Sequence, residues 1–183
     1  MSEQKEKKKP GTKINSRHKG SEYERKIAKI LGKWWGEDFH RTPASGGLHW
    51  KKDNRVAGDI VTPPDSVYPW VTECKKREAW DFDQLIKGTG EIEKYWSQVC
   101  RDAEETGLQP LLIFSKNFAP NYAMILEDQF NIIMEHLINE MGKSFSFNYF
   151  VVHKDGYPNR VVFILEDWLG CVSKDDVVNA LGL

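Results

Sequence analysis

Cysteine is scarce in this sequence and poorly placed for chemistry. Cys74, Cys100 and Cys171 are odd in number and widely spaced, which excludes a disulfide framework and a Cys-x-x-Cys zinc site. The five histidines are scattered, with no His-Glu-x-x-His arrangement to hold zinc. No run approaches the ~18 apolar residues of a membrane span. The N-terminus is charged and lacks the apolar stretch of a secretory signal. There is no Walker-type glycine loop, so no nucleotide cofactor is expected, and no internal repeat. Net charge is only −1. These absences describe a reduced, intracellular, cytoplasmic protein away from membranes.

What is present is enough for one core. At 183 residues, 40% hydrophobic, with seven Trp and nine Phe, the chain needs no staples. The small net charge hides an asymmetry. Residues 1–19 hold Lys5, Lys7, Lys8, Lys9, Lys13, Arg17 and Lys19 against Glu3 and Glu6. We read residues 1–19 as a disordered basic arm and residues 20–183 as a single domain. Such an arm on a mildly acidic body fits an anionic polymer partner; it fits a solubilising tail equally well.

Ser21-Glu22-Tyr23-Glu24 has the Ser-x-x-Glu form of a capping box and predicts a helix start at Ser21. Tyr23, Ile27, Ile30, Leu31, Trp34 and Trp35 continue it at helical spacing, with Gly36 as its stop. A short strand is expected at 39–42, then a polar glycine-bearing loop over 43–58. Residues 58–62 and 68–74 read as strands and, together, as a hairpin. A short helix is expected at 82–86. Ile92, Tyr95, Trp96, Val99, Cys100 and Ala103 mark the clearest helix, ended by Gly107. Residues 110–114 form a continuous apolar run typical of a doubly buried strand. Further strands are expected at 122–126, 148–153 and 160–165, with helices at 128–141 and 174–181. The pattern is a mixed α/β or α+β layer of helices and strands.

One constellation carries chemistry. Asp59 follows a glycine at the head of one strand, and Glu73-Cys74-Lys75 ends the next. Residues two apart on a strand share a face, so Glu73 and Lys75 project together. Two neighbouring carboxylates repel unless a cation intervenes, and oxygen ligands favour a hard one such as Mg²⁺. Asp-x₁₃-Glu-x-Lys therefore suits metal-dependent phosphodiester hydrolysis, with Lys75 orienting the attacking water or offsetting charge on phosphorus. By spacing alone it is also compatible with a solvated hairpin bearing a Glu–Lys surface pair.

Gly58-Asp59 with Glu73-Cys74-Lys75 resembles the PD-(D/E)XK nuclease superfamily. The closer likeness is to archaeal-type Holliday junction resolvases and related phage-type endonucleases. Their Lys-Gly-Ser-x-x-Glu-Arg helix reads here Lys19-Gly20-Ser21-Glu22-Tyr23-Glu24-Arg25, and their Arg-x-Pro-x-Ser-Gly loop reads Arg41-Thr42-Pro43-Ala44-Ser45-Gly46. A helix bearing Gln98 and the buried strand Leu111 to Phe114 follow in the same order. The likeness covers about residues 19–116 and departs from the family in two ways. Gly58 stands where the family has proline, and residues 117–183 exceed the compact resolvase pattern, extending the same domain.

The resemblance implies a restriction-endonuclease-like fold, a central mixed β-sheet flanked by helices. It implies a Mg²⁺-dependent endonuclease, with Mn²⁺ able to substitute, and branched DNA as substrate for a homodimer of phage or mobile-element origin. Asp59, Glu73 and the Cys74 backbone carbonyl become metal ligands, with Glu24 acting through water. Helical geometry separates Glu24 from Glu22: the latter shares a face with Lys26, Lys29 and Lys33, the former with Ile27, Ala28 and Leu31. Capping by Ser21 is the alternative role for Glu24. Arg41, Ser45, Gly46, Lys51, Lys52, Arg55, Lys76 and Gln98 are candidate DNA contacts. His40 and His49 flank the same loop. Trp80 and Trp96 are expected in the core rather than as stacking platforms, and Cys74 as a small core residue. Segments 145–152 and 161–165 either complete the monomer core or supply a dimer interface.

Overall fold

The computed structural model describes residues 16–43, 57–139, 142 and 146–183. The basic arm through residue 15 and the loop 44–56 lie outside these.

The first helix, α1 (Ser16–Trp35), begins five residues before the expected cap. Nothing in residues 16–20 stops a helix except Gly20, whose propensity cost is only about 1 kcal/mol. Ser21 is therefore interior. Gly36, at φ +78°, ends the helix in the left-handed conformation. Strands β1 (His40–Arg41) and β2 (Ile60–Val61) pair antiparallel with one another.

That pairing corrects the expected hairpin. Strand β3 (Trp70–Lys76) pairs not with β2 but, in parallel, with β4 (Gln109–Ser115). Pro63 and Pro64 follow one residue after β2, and without N–H groups they cannot extend a ladder toward β3. The crossover from β3 to β4 runs through α2 (Phe82–Ile86) and α3 (Gly90–Thr106), as parallel strands require. The Asp81 side chain caps α2 by accepting the Gln84 N–H at 2.8 Å.

The chain then adds β5 (Tyr122–Leu126), α4 (Glu127–Asn139), β6 (Tyr149–Val152) and β7 (Arg160–Ile164). Helices α5 (Leu165–Cys171) and α6 (Lys174–Leu181) close it. The sheet runs β3-β4-β5-β7-β6, parallel at its first pair and antiparallel elsewhere. This is the α/β, restriction-endonuclease-like architecture. Three of the five strands come from residues 117–183. Strand β7 lies between β5 and β6, so segment 161–165 is sheet interior and not a surface for a second chain.

Each face of the sheet buries its own cluster. Ile27, Leu31 and Trp35 of α1 meet Trp70, Cys74, Ile113, Val161 and Phe163 on one side. Ile92, Trp96 and Val99 of α3 meet Val71, Leu112, Phe114, Val152 and Val162 on the other, and Trp80 joins them. Trp80 and Trp96 are core residues, as expected.

The second face also buries a charged group far from β3 in sequence. Arg160 opens β7, is 1% exposed, and donates from Nη1 to Glu93 Oε2 of α3 at 2.5 Å. Lys154 donates to the other oxygen of Glu93 at 2.7 Å, and the guanidinium lies 5.9 Å from the Trp96 ring centre. A buried ion pair gains little over apolar packing, but removing one member strands the other. Arg160→Ala should cost about 3 kcal/mol, read by urea unfolding.

Candidate active site

The site forms on the free edge of β3. The Asp59 backbone N–H donates to Thr72 O at 2.8 Å, and the Cys74 N–H donates to Asp59 Oδ2 at 2.9 Å. One residue thus satisfies two consecutive edge groups of β3, its carboxylate standing in for a neighbouring strand's carbonyl. The other side of Asp59 is held by Thr42, whose N–H donates to Asp59 O at 2.9 Å and whose hydroxyl donates to Gly58 O at 2.9 Å.

Gly58 explains the missing proline. It has φ +75°, and a Cβ built on it would lie 2.6 Å from Thr72 O. Proline is fixed near φ −65° and could not occupy this position. The departure from the family pattern is a requirement of this backbone.

Glu73 and Lys75 project onto the α3 side of the sheet, as strand alternation dictates. Glu73 is only 2% exposed. Its Oε1 accepts from Lys75 Nζ and, at 3.1 Å, from Gln98 Nε2. Lys75 Nζ also lies 5.4 Å from the centre of the Tyr95 ring. Tyr95 and Gln98 are three apart on α3 and so share a face. Tyr95, part of the apolar stripe by its spacing, lies instead beneath the lysine, and its i, i+3 relation to Gln98 is the sequence signal for that place. Cys74 turns the opposite way into the α1 side of the core. Burial pushes its thiol well above the usual range, which leaves it inert.

Glu24 reaches the same place from α1. It pairs with Arg41 Nε, both side chains largely shielded from solvent. Asp59 feels the charges of Glu24, Arg41 and Lys75. The structure therefore brings Glu24, Arg41, Asp59, Glu73, Lys75 and Gln98 together. It gives Arg41, a candidate DNA contact, a carboxylate partner. Lys76 lies at the end of β3 with Nζ 5.9 Å from the Tyr23 ring centre. His40 is exposed beside Asp38. Ser45, Gly46, His49, Lys51, Lys52 and Arg55 lie outside the described residues.

Three carboxylates here face two cations. Burial, more than any charge, raises the Asp59 carboxyl, against the Cys74 N–H and Lys75 that lower it. Burial raises Glu73 to about 7, and the Asp59 charge adds to the rise while Lys75 opposes it. Burial alone would lower Lys75, but Glu73 and Asp59 together raise it. The upward shifts of Glu73 and Lys75 have opposite meanings. The lysine holds its proton more tightly, whereas the glutamate is driven toward neutral. The direction at Glu73 follows from the excess of acid: one ammonium cannot neutralise two buried carboxylates. Asp102, one turn beyond Gln98 on α3, adds a further acid within electrostatic reach of Glu73.

Among the described residues no three His, Cys, Asp or Glu side chains form a metal cage on their own. Mg²⁺ does not require one, since it commonly binds through one or two carboxylates and keeps several waters. The donor set suits it: hard oxygens of Asp59 and Glu73, short of positive charge, beside the backbone of Cys74.

This fold and this cluster define a PD-(D/E)XK endonuclease. Residues 15–179 match the family described as "Phage putative PDDEXK endonuclease", and the chain belongs to that family. It is 26% identical over 169 residues to Protein D14 of Escherichia phage T5, covering 90% of this chain and 98% of that protein. No solved structure matches the chain. The family match includes β5 to β7, the part that exceeds the compact resolvase pattern. No helix among the described residues is long and apolar enough to cross a membrane.

Two outcomes follow from the geometry. Gly58→Ala forces a left-handed L-residue, at about 1–2 kcal/mol, against a backbone oxygen. It should lower Tm and displace Asp59, abolishing cleavage. The second outcome concerns pH in EDTA. Folded Glu73 keeps its proton to about 7, whereas the ordinary value is 4.5. Its contribution to stability is full below pH 4.5 and lost as pH rises through about 7. Glu73→Gln, neutral throughout, should gain Tm relative to wild type as pH rises across that window.

Proposed function

We propose that the protein is a divalent-metal-dependent DNA endonuclease that hydrolyses phosphodiester bonds. The observation that carries this reading is the shared site of two buried, mutually repelling carboxylates, Asp59 and Glu73, served by a single ammonium. Asp59 and Glu73 would hold Mg²⁺ or Mn²⁺, with the Cys74 carbonyl as a further oxygen and Glu24 through water. When bound, such an ion polarises the phosphate and acidifies water.

The chain's own residues do the positioning. Asp59 cannot swing, because its carboxylate is fastened to the Cys74 N–H and its main chain to Thr72 and Thr42. Gln98 fixes the orientation of Glu73. Lys75, held between Glu73 and the Tyr95 ring, presents a positive charge where negative charge grows on phosphorus. The complete Asp59, Glu73 and Lys75 set argues against a DNA-binding module that has lost turnover.

Branched DNA is our first choice of substrate, supported by the likeness of residues 19–25 and 41–46 to resolvase motifs. Paired cuts at a two-fold junction need two sites, and one chain carries one Asp-Glu-Lys set, so this choice entails a homodimer. A nuclease of ordinary duplex or single strands is the alternative, acting as a monomer.

The test is cleavage of junction, flap, duplex and single-stranded DNA with Mg²⁺, with Mn²⁺ and with EDTA. Cleavage should require metal. Asp59→Asn and Glu73→Gln should abolish it and weaken metal binding in calorimetric titration while sparing DNA binding. Lys75→Ala should lose roughly a hundredfold or more in turnover with metal still bound. Wild-type rates in Asp59→Asn, or cutting in EDTA, would overturn the assignment. A strict monomer on junction DNA by sedimentation would favour the simpler nuclease.

A further inference from the structure

The turn between β4 and β5 contains a residue that its backbone does not favour. Among the described residues Phe118 is the one non-glycine residue with positive φ, at +59°. It is the third residue of a turn closed by the Ala119 N–H donating to Lys116 O at 3.3 Å. Glycine or asparagine normally takes a positive φ at that position. A bulky side chain there costs about 1–2 kcal/mol. The ring recovers none of this by packing, because it is fully exposed to solvent.

The turn itself is firmly held. Ser115 is buried, and its hydroxyl lies within 3.0–3.3 Å of the carbonyls of Lys116, Ala119 and Pro120. The Asn117 N–H donates to Glu78 at 3.0 Å. Lys116 Nζ sits 4.9 Å from the centre of the buried Trp80 ring. A rigid base therefore presents a strained, unpartnered aromatic tip. Strain of this kind persists where it serves a purpose outside the fold.

Its surroundings indicate the purpose. Lys76 pairs with Ser115 in the parallel register, and the Arg77 N–H donates to Ser115 O at 3.0 Å. Phe118 thus emerges from the sheet end that carries Lys75, at most about 10 Å of chain beyond Ser115. Lys76 and Arg77 end the neighbouring strand and Lys116 opens the same turn, so three cations lie at this end of the sheet; Glu78, an acid that meets this turn, is engaged by Asn117. An exposed aromatic on a cation-bearing surface is how proteins stack on a nucleic-acid base while holding the backbone. Apolar side chains inserted at a base step also unstack and kink a duplex.

We propose that Phe118 is a DNA-distorting contact that inserts at an unstacked or branch-point base beside the phosphate cut at Lys75, and so selects distorted DNA over continuous duplex. This rests on the nuclease reading for its substrate and deepens it. The test separates the two by reading binding without cleavage. Full-length wild type, Phe118→Gly and Phe118→Trp are titrated in EDTA against flap and junction DNA carrying 2-aminopurine beside the branch, and against continuous duplex.

Wild type and Phe118→Trp should raise the 2-aminopurine signal as the neighbouring base is displaced. Phe118→Gly should lose that signal and bind branched DNA about tenfold more weakly, with continuous duplex unchanged. Its Tm should equal or exceed wild type, because glycine relieves the turn. Equal signals and affinities for wild type and Phe118→Gly, or a lower Tm for Phe118→Gly, would overturn the proposal while leaving a nuclease in place. The expected binding pattern with no metal-dependent cutting of any DNA would overturn the nuclease reading and leave the base contact. A wild type that binds no DNA would overturn both.

Discussion

Everything at the site depends on how the exposed edge of β3 is closed. An edge strand leaves N–H and C=O groups unpaired, and most proteins cover or blunt them. Here Asp59 covers two with its own amide and carboxylate. A reactive group is thereby placed by main-chain geometry instead of by a side-chain rotamer alone. Gly58 is what lets the chain come this close, and the β1–β2 pair is what holds it there. The separation of β2 from β3 therefore leaves the Cys74 N–H free to fasten Asp59. A continuous hairpin ladder would have used the Cys74 N–H for a backbone partner and left the aspartate unfastened.

The second constraint is electrostatic. Asp59 lies within electrostatic reach of both Glu24 and Glu73, and among the described residues Arg41 and Lys75 pair with those two acids. Folding alone would not favour this arrangement, since buried like charges raise each other's pKa and lower stability. Packing on both sheet faces supplies the free energy that tolerates it. Strain in charge at the site and strain in backbone at Phe118 sit at the same end of the sheet. Both are local departures from what the fold itself would prefer, and such departures concentrate at functional sites.

Much of this was legible in the chain. Helix α3 and strand β4 were readable because their apolar patterns are long and unambiguous. Strand alternation alone put Glu73 and Lys75 on one face and Cys74 on the other, and helical geometry alone turned Glu24 inward. The failures have physical causes. Ser21-x-x-Glu24 has the local form of a cap, but a helix can run through a serine when the residues before it tolerate helix, and α1 does. The hairpin was inferred from adjacency, whereas the partner of β3 lies 39 positions on in register. Helix α5 is short, contains Gly170 and follows a strand without a break, so no period develops. The backbone of Phe118 has no signature in sequence, because it is a consequence of tertiary placement.

Helix α3 links two parts of the molecule that are distant along the chain. One of its faces presents Tyr95 and Gln98 to Lys75 and Glu73; Glu93, on the same helix, is bound by Arg160 and Lys154. The helix that positions Lys75 is thus itself positioned by residues translated some 60 codons later. A ribosome that has released Asp59, Glu73 and Lys75 has not released the strands that bury this helix. The side chains of the site are thus made well before the strand and loop residues, Lys154 and Arg160, that hold the helix beneath them.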